Sequence, residues 1–285
     1  MSYRFPRALV MAHYDPDGII DSHVLYSLAA YRPLFERIVF VSVSADRMPA
    51  GSEHLVDDFI RRDNVGYDFL SWKVGFQKIA DPGRFFEIVF ANDSVYGPFF
   101  DVQQALLAPH IKSLDFWGMA ASFQSQWHIQ SWFFAMRHEL LKSRDVAAFW
   151  DTVQPLGNKQ DIIYNYEILM ASFFHIRDWQ TGALYHAPSQ GRVEWSAVRA
   201  RINFRDIVGS MGQLRLYATV ARIPPNPMHL LWSETINAGV PYVKVEVLRS
   251  NPLGIATQPV IEFIANNTRY PLSLIEGHIK RTKGR

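Results

Sequence analysis

Apolar residues fall in short blocks along the first third of the chain, and the blocks differ in period. Residues 8–14 (ALVMAHY), 37–44 (RIVFVSVS) and 85–91 (FFEIVFA) are near-continuous apolar runs of strand length, rich in Val, Ile and Phe. Such runs belong to strands covered on both faces, and they predict strands over 7–13, 37–44 and 85–91. Asp15-Pro16-Asp17-Gly18 has turn chemistry, because Pro presets φ and Gly accepts a positive one. Ile19 to Tyr31 then carries apolar residues at helical spacing. Residues 53–62 read as a short helix with Leu55, Phe59 and Ile60 on one side, and 67–76 show mixed character. Strand alternating with helix predicts a parallel α/β sheet over about the first 120 residues.

From Phe123 to Phe174 the spacing turns helical: Trp132, Phe133, Met136, Leu140 and Leu141, then Val146, Phe149 and Trp150, then 162–174. Residues 182–222 have no readable period. Ile223-Pro224-Pro225-Asn226-Pro227 marks a break, read as a loop within one domain, before a last stretch of short strands and turns. No internal repeat or low-complexity tract interrupts the 285 residues.

Composition narrows the class. The chain is 48% hydrophobic, enough for a large core, and its 8 Trp, 20 Phe and 12 Tyr favour apolar pockets over disorder. It has no cysteine, which excludes disulfides and thiolate metal sites. A net charge of +2 is too mild to argue for nucleic acid. The end, His278 to Arg285, is basic, and reads either as a solvated frayed tail or as a contact for anionic lipid. No leader is visible, and no stretch approaches the roughly 20 apolar residues of a membrane span. The expected location is the cytoplasm, with peripheral contact at the inner face of the plasma membrane left open.

Several polar groups could carry chemistry. Asn92-Asp93-Ser94 directly follows a predicted core strand, where open α/β sheets bind ligands. A carboxylate at Asp93 is a hard oxygen ligand suited to Mg²⁺ or Mn²⁺ on a nucleotide diphosphate, although a turn or helix cap accounts for the tripeptide equally well. In Asn64-Val65-Gly66-Tyr67-Asp68, Gly66 permits close backbone approach, and Asn64 and Asp68 offer hydrogen bonds to a sugar or base. Asp115 beside Trp117 is either a desolvated general base next to an aromatic face for sugar stacking, or the cap of a helix starting near Trp117. His128 and Gln130 follow closely and extend this acceptor side. Glu167, amid apolar residues, points to solvent or is held in a site as an alternative base. His229 could complete a metal site with Asp93, and Lys244 could neutralise a diphosphate. His13 to Gly18 also resembles the opening metal motif of the DHH phosphoesterases, but those need a downstream Asp-His-His tripeptide that this chain lacks.

Taken in order, HYDPDGIID (13–21), VFVSVS (39–44), RRDNVGYDFLSWKVGF (61–76), ANDSVYGP (91–98), DFWGM (115–119), HIQSWFF (128–134), Tyr166-Glu167, NPMHLLW (226–232) and GVPYVKVEVLRSNP (239–252) resemble the rhamnan synthesis protein F family of bacterial polysaccharide glycosyltransferases. The resemblance implies a GT-A-like, mostly parallel sheet flanked by helices, with a helical insertion and a C-terminal extension. It implies one domain over 1–285, with a nucleotide-sugar-binding half (1–122) and a helical, acceptor-side half (123–285). It further implies a nucleotide-diphosphate sugar donor such as dTDP-rhamnose, Mg or Mn, inversion at the sugar, and a glycan or lipid-linked glycan acceptor in O-antigen or cell-wall synthesis. At Val43, where the family pattern has Asn, this chain departs, which bears on the donor's base pocket. The alternative from another class is a non-catalytic sugar-binding or assembly subunit that kept the fold.

Overall fold

The apolar runs find their explanation in how the sheet is covered. In the computed structural model, which describes residues 5–187 and 226–282, strand β1 (Arg7–His13) is buried along its whole length. It lies between β2 (Arg37–Ser42) and β4 (Glu87–Asn92), parallel to both. Leu9 and Met11 of β1 join Ile38, Phe40 and Val89 in a core on one face, where α1 (Ser22–Tyr31) packs through Val24 and Leu28. Ala8, Val10 and Ala12 join Val39, Val41 and Ile88 on the other face, beneath α2 (Tyr67–Gln77). Both faces are dry, so the strands cannot alternate apolar with polar. Gly75 lets α2 approach closely: a Cβ there would lie 2.3 Å from Val10 Cγ1.

The sheet runs β3-β2-β1-β4-β8-β6-β7, with β9 also paired to β6. Here β3 is Asp58–Arg61, β6 Phe116–Ser122, β7 His128–Ile129, β8 Phe133–Arg137 and β9 Thr181–His186. Strands β7 and β8 oppose the direction of the other six. The fold is mixed α/β with a mostly parallel sheet flanked by helices, as expected. The three predicted strands are present within two residues of their expected bounds.

A charged group lies inside this sheet. Glu87 is fully buried at the start of β4, with Arg7 and Arg137 directly across the two neighbouring strands. Its carboxylate accepts from Arg7 Nε at 2.6 Å, Arg137 Nε at 3.2 Å and Trp117 Nε1 at 3.2 Å. Burial of three charges is tolerable only when they are paired and hydrogen-bonded.

Other segments depart from the sequence reading. Residues 53–62 are not a helix: a 3₁₀ turn (Glu53–Leu55) leads into edge strand β3. Phe59 and Ile60 go to opposite faces, Phe59 stacking on Phe40 and Ile60 joining the other core. The mixed segment 67–76 is helix α2. The expected helical stretch opens instead with β7 and β8; Phe133 to Met136 are all buried between β4 and β6. Helices begin only at α4 (His138–Lys142), followed by α5 (Arg144–Thr152), α6 (Lys159–Ile162) and α7 (Leu169–His175). The two-residue strand β5 (Val95–Tyr96) and short helix α3 (Val102–Leu106) lie between β4 and β6.

After the break, the expected strands and turns are mostly helices: α8 (Pro227–Leu230), α9 (Trp232–Asn237), α10 (Val245–Arg249), α11 (Gln258–Asn267) and α12 (Leu272–Thr282). One two-residue strand, β10 (Val243–Lys244), pairs with β5. These elements share a third apolar cluster with Tyr96 and Phe99. The C-terminal end is docked as far as Thr282, so it is not a frayed tail there; Lys283 to Arg285 lie outside the described residues, as do most of the unreadable 182–222 segment and the Ile223 to Pro225 part of the break. Among the described residues, no helix is long and apolar enough to cross a membrane.

Candidate functional site

A cavity of about 730 Å³ opens at the C-terminal end of β4, lined from β4, α2, β7, the α6–α7 segment and the β10 region. Its first wall is built by Asn92. The Asn92 side chain accepts from Ser94 N at 3.1 Å and Ser94 Oγ at 2.6 Å, closing the turn after β4. The same amide donates to Asp68 Oδ2 at 2.8 Å. Asp68 lies in the first turn of α2, which begins after Gly66 at φ +72°, a left-handed conformation that favours glycine. Burial raises the Asp68 pKa, opposed by the Asn92 hydrogen bond and the Lys244 charge. Lys244, on β10, and Lys159, at the start of α6, line the same cavity.

Glu167 lines the same cavity. Between α6 and α7 the helix widens into a π-helical turn over Ile163–Ile168, a feature frequent at functional sites. This turn buries Tyr166, whose hydroxyl accepts from Gln154 N at 2.8 Å, and places Glu167 on the cavity. The Ser131 hydroxyl donates to Glu167 Oε2, and His128 Nε2 lies 3.8 Å from Oε1. His128 Nδ1 faces the Gln126 carbonyl at 2.8 Å, so that nitrogen carries the proton and Nε2 is turned to Glu167. Gln130 donates to Asn226 Oδ1 at 2.9 Å. Asn226 caps α8 by accepting from Met228 N, which brings His229 to the cavity.

Asp93, next in the β4 turn, lies beside the cavity and is not one of its lining residues. Its carboxylate accepts from Tyr14 N at 3.0 Å, and His13 Nε2 is 3.8 Å away. Burial first, then the charges of Asp68 and Asp15, push the Asp93 pKa up to about 8. Burial lowers that of His13 to about 4, leaving the ring neutral.

The structure thus brings Asp68, Asn92, Ser94, His128, Gln130, Glu167, His229 and Lys244 to one cavity, with Asp93 adjacent through the β4 turn. Asn64 is exposed in the loop before α2 and does not line it; Gly66 acts on the backbone. Two expectations fail, Asp115 on strand direction and Trp117 on burial. Asp115 precedes β6, which runs parallel to β4, so it sits at the sheet edge opposite Asn92, where Oδ2 accepts from Gln180 N. It precedes a strand and so caps no helix, and it does not line this cavity. Trp117 is fully buried in the core. The expected Asp93–His229 ligand pair is replaced by separate partners: His229 Nε2 lies 3.2 Å from Glu246 Oε2. That contact lacks hydrogen-bond geometry, and Nε2 is buried with no hydrogen-bond partner. The proximity of His229 nonetheless holds the Glu246 carboxyl well below its ordinary value. Lys159, Ser131, Asn226 and Glu246 were not singled out from sequence as site residues; the NPMHLLW and VKVE segments contain the last two.

A mixed α/β sheet with a polar cavity at its strand ends defines the class. The model of the family described as rhamnan synthesis protein F matches residues 38–187, more than half of the chain, and the chain belongs to that family. Virulence protein VirA of Vibrio anguillarum is 29% identical over 203 residues, 70% of this chain and 64% of the relative. The uncharacterized protein y4gN of Sinorhizobium fredii is 24% identical over 185 residues, 62% of this chain and 48% of the relative. The chain therefore spans only about half to two thirds of these relatives' lengths. Among solved structures, glucosyl-3-phosphoglycerate synthase from Mycobacterium tuberculosis, in complex with Mn²⁺, uridine diphosphate and phosphoglyceric acid, is similar at TM-score 0.41 and 8% identity over 64% of this chain and 68% of that one. A 4-diphosphocytidyl-2C-methyl-D-erythritol synthase from Anaerococcus prevotii gives TM-score 0.39 and 11% identity over 64% of this chain and 87% of that one.

Proposed function

We propose that this chain is a glycosyltransferase that moves a sugar, L-rhamnose in the reading the family name favours, from a nucleotide-diphosphate donor to a glycan or lipid-linked glycan acceptor. The observation that carries this reading is the convergence of Asp68, Asn92, Lys159 and Lys244 with Glu167, Ser131 and His128 on one cavity. Hydrogen-bonding groups beside two ammonium groups suit a sugar diphosphate.

Glu167 replaces Asp115 as the base. It takes the proton of the acceptor hydroxyl as that oxygen bonds to the anomeric carbon and the bond to the diphosphate breaks. The Ser131 hydroxyl orients the carboxylate, and His128 faces its other oxygen. Lys159 and Lys244 offset charge developing on the departing diphosphate. A base acting opposite the leaving group gives inversion. Gln130, fixed by Asn226, belongs to the acceptor side.

Asp93 fits a divalent cation. It is a hard oxygen donor whose pKa is raised by burial beside Asp68 and Asp15, and a cation would relieve that repulsion. Bound Mg²⁺ or Mn²⁺ would supply charge neutralisation at the diphosphate. His229, set against Glu246, is not in that ligand set.

The test is single-turnover transfer and donor hydrolysis with a panel of nucleotide sugars. Glu167→Gln is expected to lower kcat roughly 10²–10⁴-fold with donor affinity nearly intact. Unchanged turnover would remove Glu167 as the base. Donor binding with no turnover by the wild-type protein on any acceptor tried would favour the non-catalytic sugar-binding alternative.

A further inference from the structure

Away from this cavity, the two ends of the described chain meet at a second polar cluster. Asp21 caps α1, His23 lies in its first turn, and His278 comes from α12. One donor atom from each of the three lies within 4.8 Å of the others. His23 is 4% exposed, and its Nδ1 is buried without a hydrogen-bond partner, 3.9 Å from Asp21 Oδ1. A buried imidazole nitrogen with nothing to bond is costly unless a ligand completes it.

We propose that Asp21, His23 and His278 form a transition-metal site, for Zn²⁺ or a similar borderline cation, that clasps α12 to the start of α1.

The surroundings supply what such a site needs. His278 Nδ1 is 2.8 Å from the Tyr96 hydroxyl, which fixes the ring and leaves Nε2 for a metal, as outer-shell partners of ligand histidines do. The Asp21 carboxylate divides its work. Oδ2 accepts from Arg281 at 2.7 Å, and Oδ1 accepts from Ser22 N at 2.8 Å with a lone pair to spare toward His23. Arg281 is gripped by Asp15, Asp17 and Asp21 together. Three carboxylates outnumber the guanidinium groups of Arg281 and nearby Arg249, so the cluster favours an added cation. Bonds of about 2.0–2.1 Å in a tetrahedral shell put donors roughly 3.3 Å apart, so donors that lie within 4.8 Å of one another draw together, and the His23 and His278 rings, 4.4 Å apart at 34°, turn their nitrogens toward one point as the metal binds. Two imidazoles and one carboxylate select zinc-like cations over Mg²⁺ or Ca²⁺.

The untagged full chain, stripped with chelator, is dialysed against Zn²⁺ or Co²⁺ at about 10 µM and its metal content measured. About one equivalent is expected, with visible Co²⁺ ligand-field bands and a higher Tm, because a cation bound only by the folded chain stabilises it. His23→Gln and His278→Gln should each lose that equivalent, and Asp93→Asn should keep it, separating the two sites. Failure of the wild-type chain to take up either metal, or retention by both Gln variants, overturns the proposal. If those variants do not fold, X-ray absorption of the zinc-loaded wild-type chain decides: scattering from two imidazoles supports the site, and a shell without them overturns it.

Discussion

Glu87→Gln keeps the shape of the buried side chain and removes its charge, leaving the guanidinium groups of Arg7 and Arg137 inside the sheet without a counterion. All three side chains are at least nine-tenths buried. Removing one partner of such a group costs roughly 3–5 kcal/mol, because the charge left behind stays desolvated. The two arginines are not equally exposed to the loss. Arg137 keeps carbonyl acceptors at Ile111 and Leu114, whereas Arg7 already has one terminal nitrogen without a hydrogen-bond partner. The cost should therefore fall near ~3 kcal/mol. At roughly 2–4 °C per kcal/mol for a domain of this order of size, Tm should drop by about 6–12 °C. Urea and thermal melts followed by circular dichroism at neutral pH read it directly. Because the pair is buried, the loss should persist from low to high salt. In double-mutant cycles, coupling of Glu87 to Arg7 should exceed its coupling to Arg137. A loss below ~1 kcal/mol, or one that disappears in salt, would refute the claim that this triad is buried and desolvated.

Other outcomes follow from the same geometry. The folded-state pKa of Asp93, about 8, lies above that of an unfolded aspartate, so the native chain holds the extra proton between about pH 4 and 8. Its contribution is full below that window and is lost as pH rises through it; Tm should fall between about pH 5 and 8 and level off above, and should fall less steeply in Asp93→Asn. Lys244→Ala should weaken nucleoside-diphosphate binding by roughly tenfold in calorimetry and leave the melting curve nearly unchanged. Gly75→Ala forces a methyl into Val10 and should cost about 1–3 kcal/mol in a urea melt.

The order of apolar runs was enough to determine the central strands, because β1, β2 and β4 are dry on both faces and must be Val-, Ile- and Phe-rich wherever they occur in the chain. Asn92, directly after β4, was legible for the same reason, because ligands gather at the C-terminal ends of parallel strands; Asp68 follows β3, which read as helix, and only the pairing of β3 with β2 carries it to the same side. Sequence failed where period and burial part company. Phe133 to Met136 has spacing compatible with a helix, and only insertion between β4 and β6 makes it a strand. Asp115 looked well placed beside an aromatic side chain, yet strand direction put it at the far edge; direction is a property of pairing, which local residues do not encode. Glu167 owes its place to a π-helical turn, and Arg281 meets Asp15, Asp17 and Asp21 across nearly the whole chain. Long-range ion pairs and helix register are set by the packed whole, because only the assembled tertiary structure brings partners so distant in sequence within reach of each other.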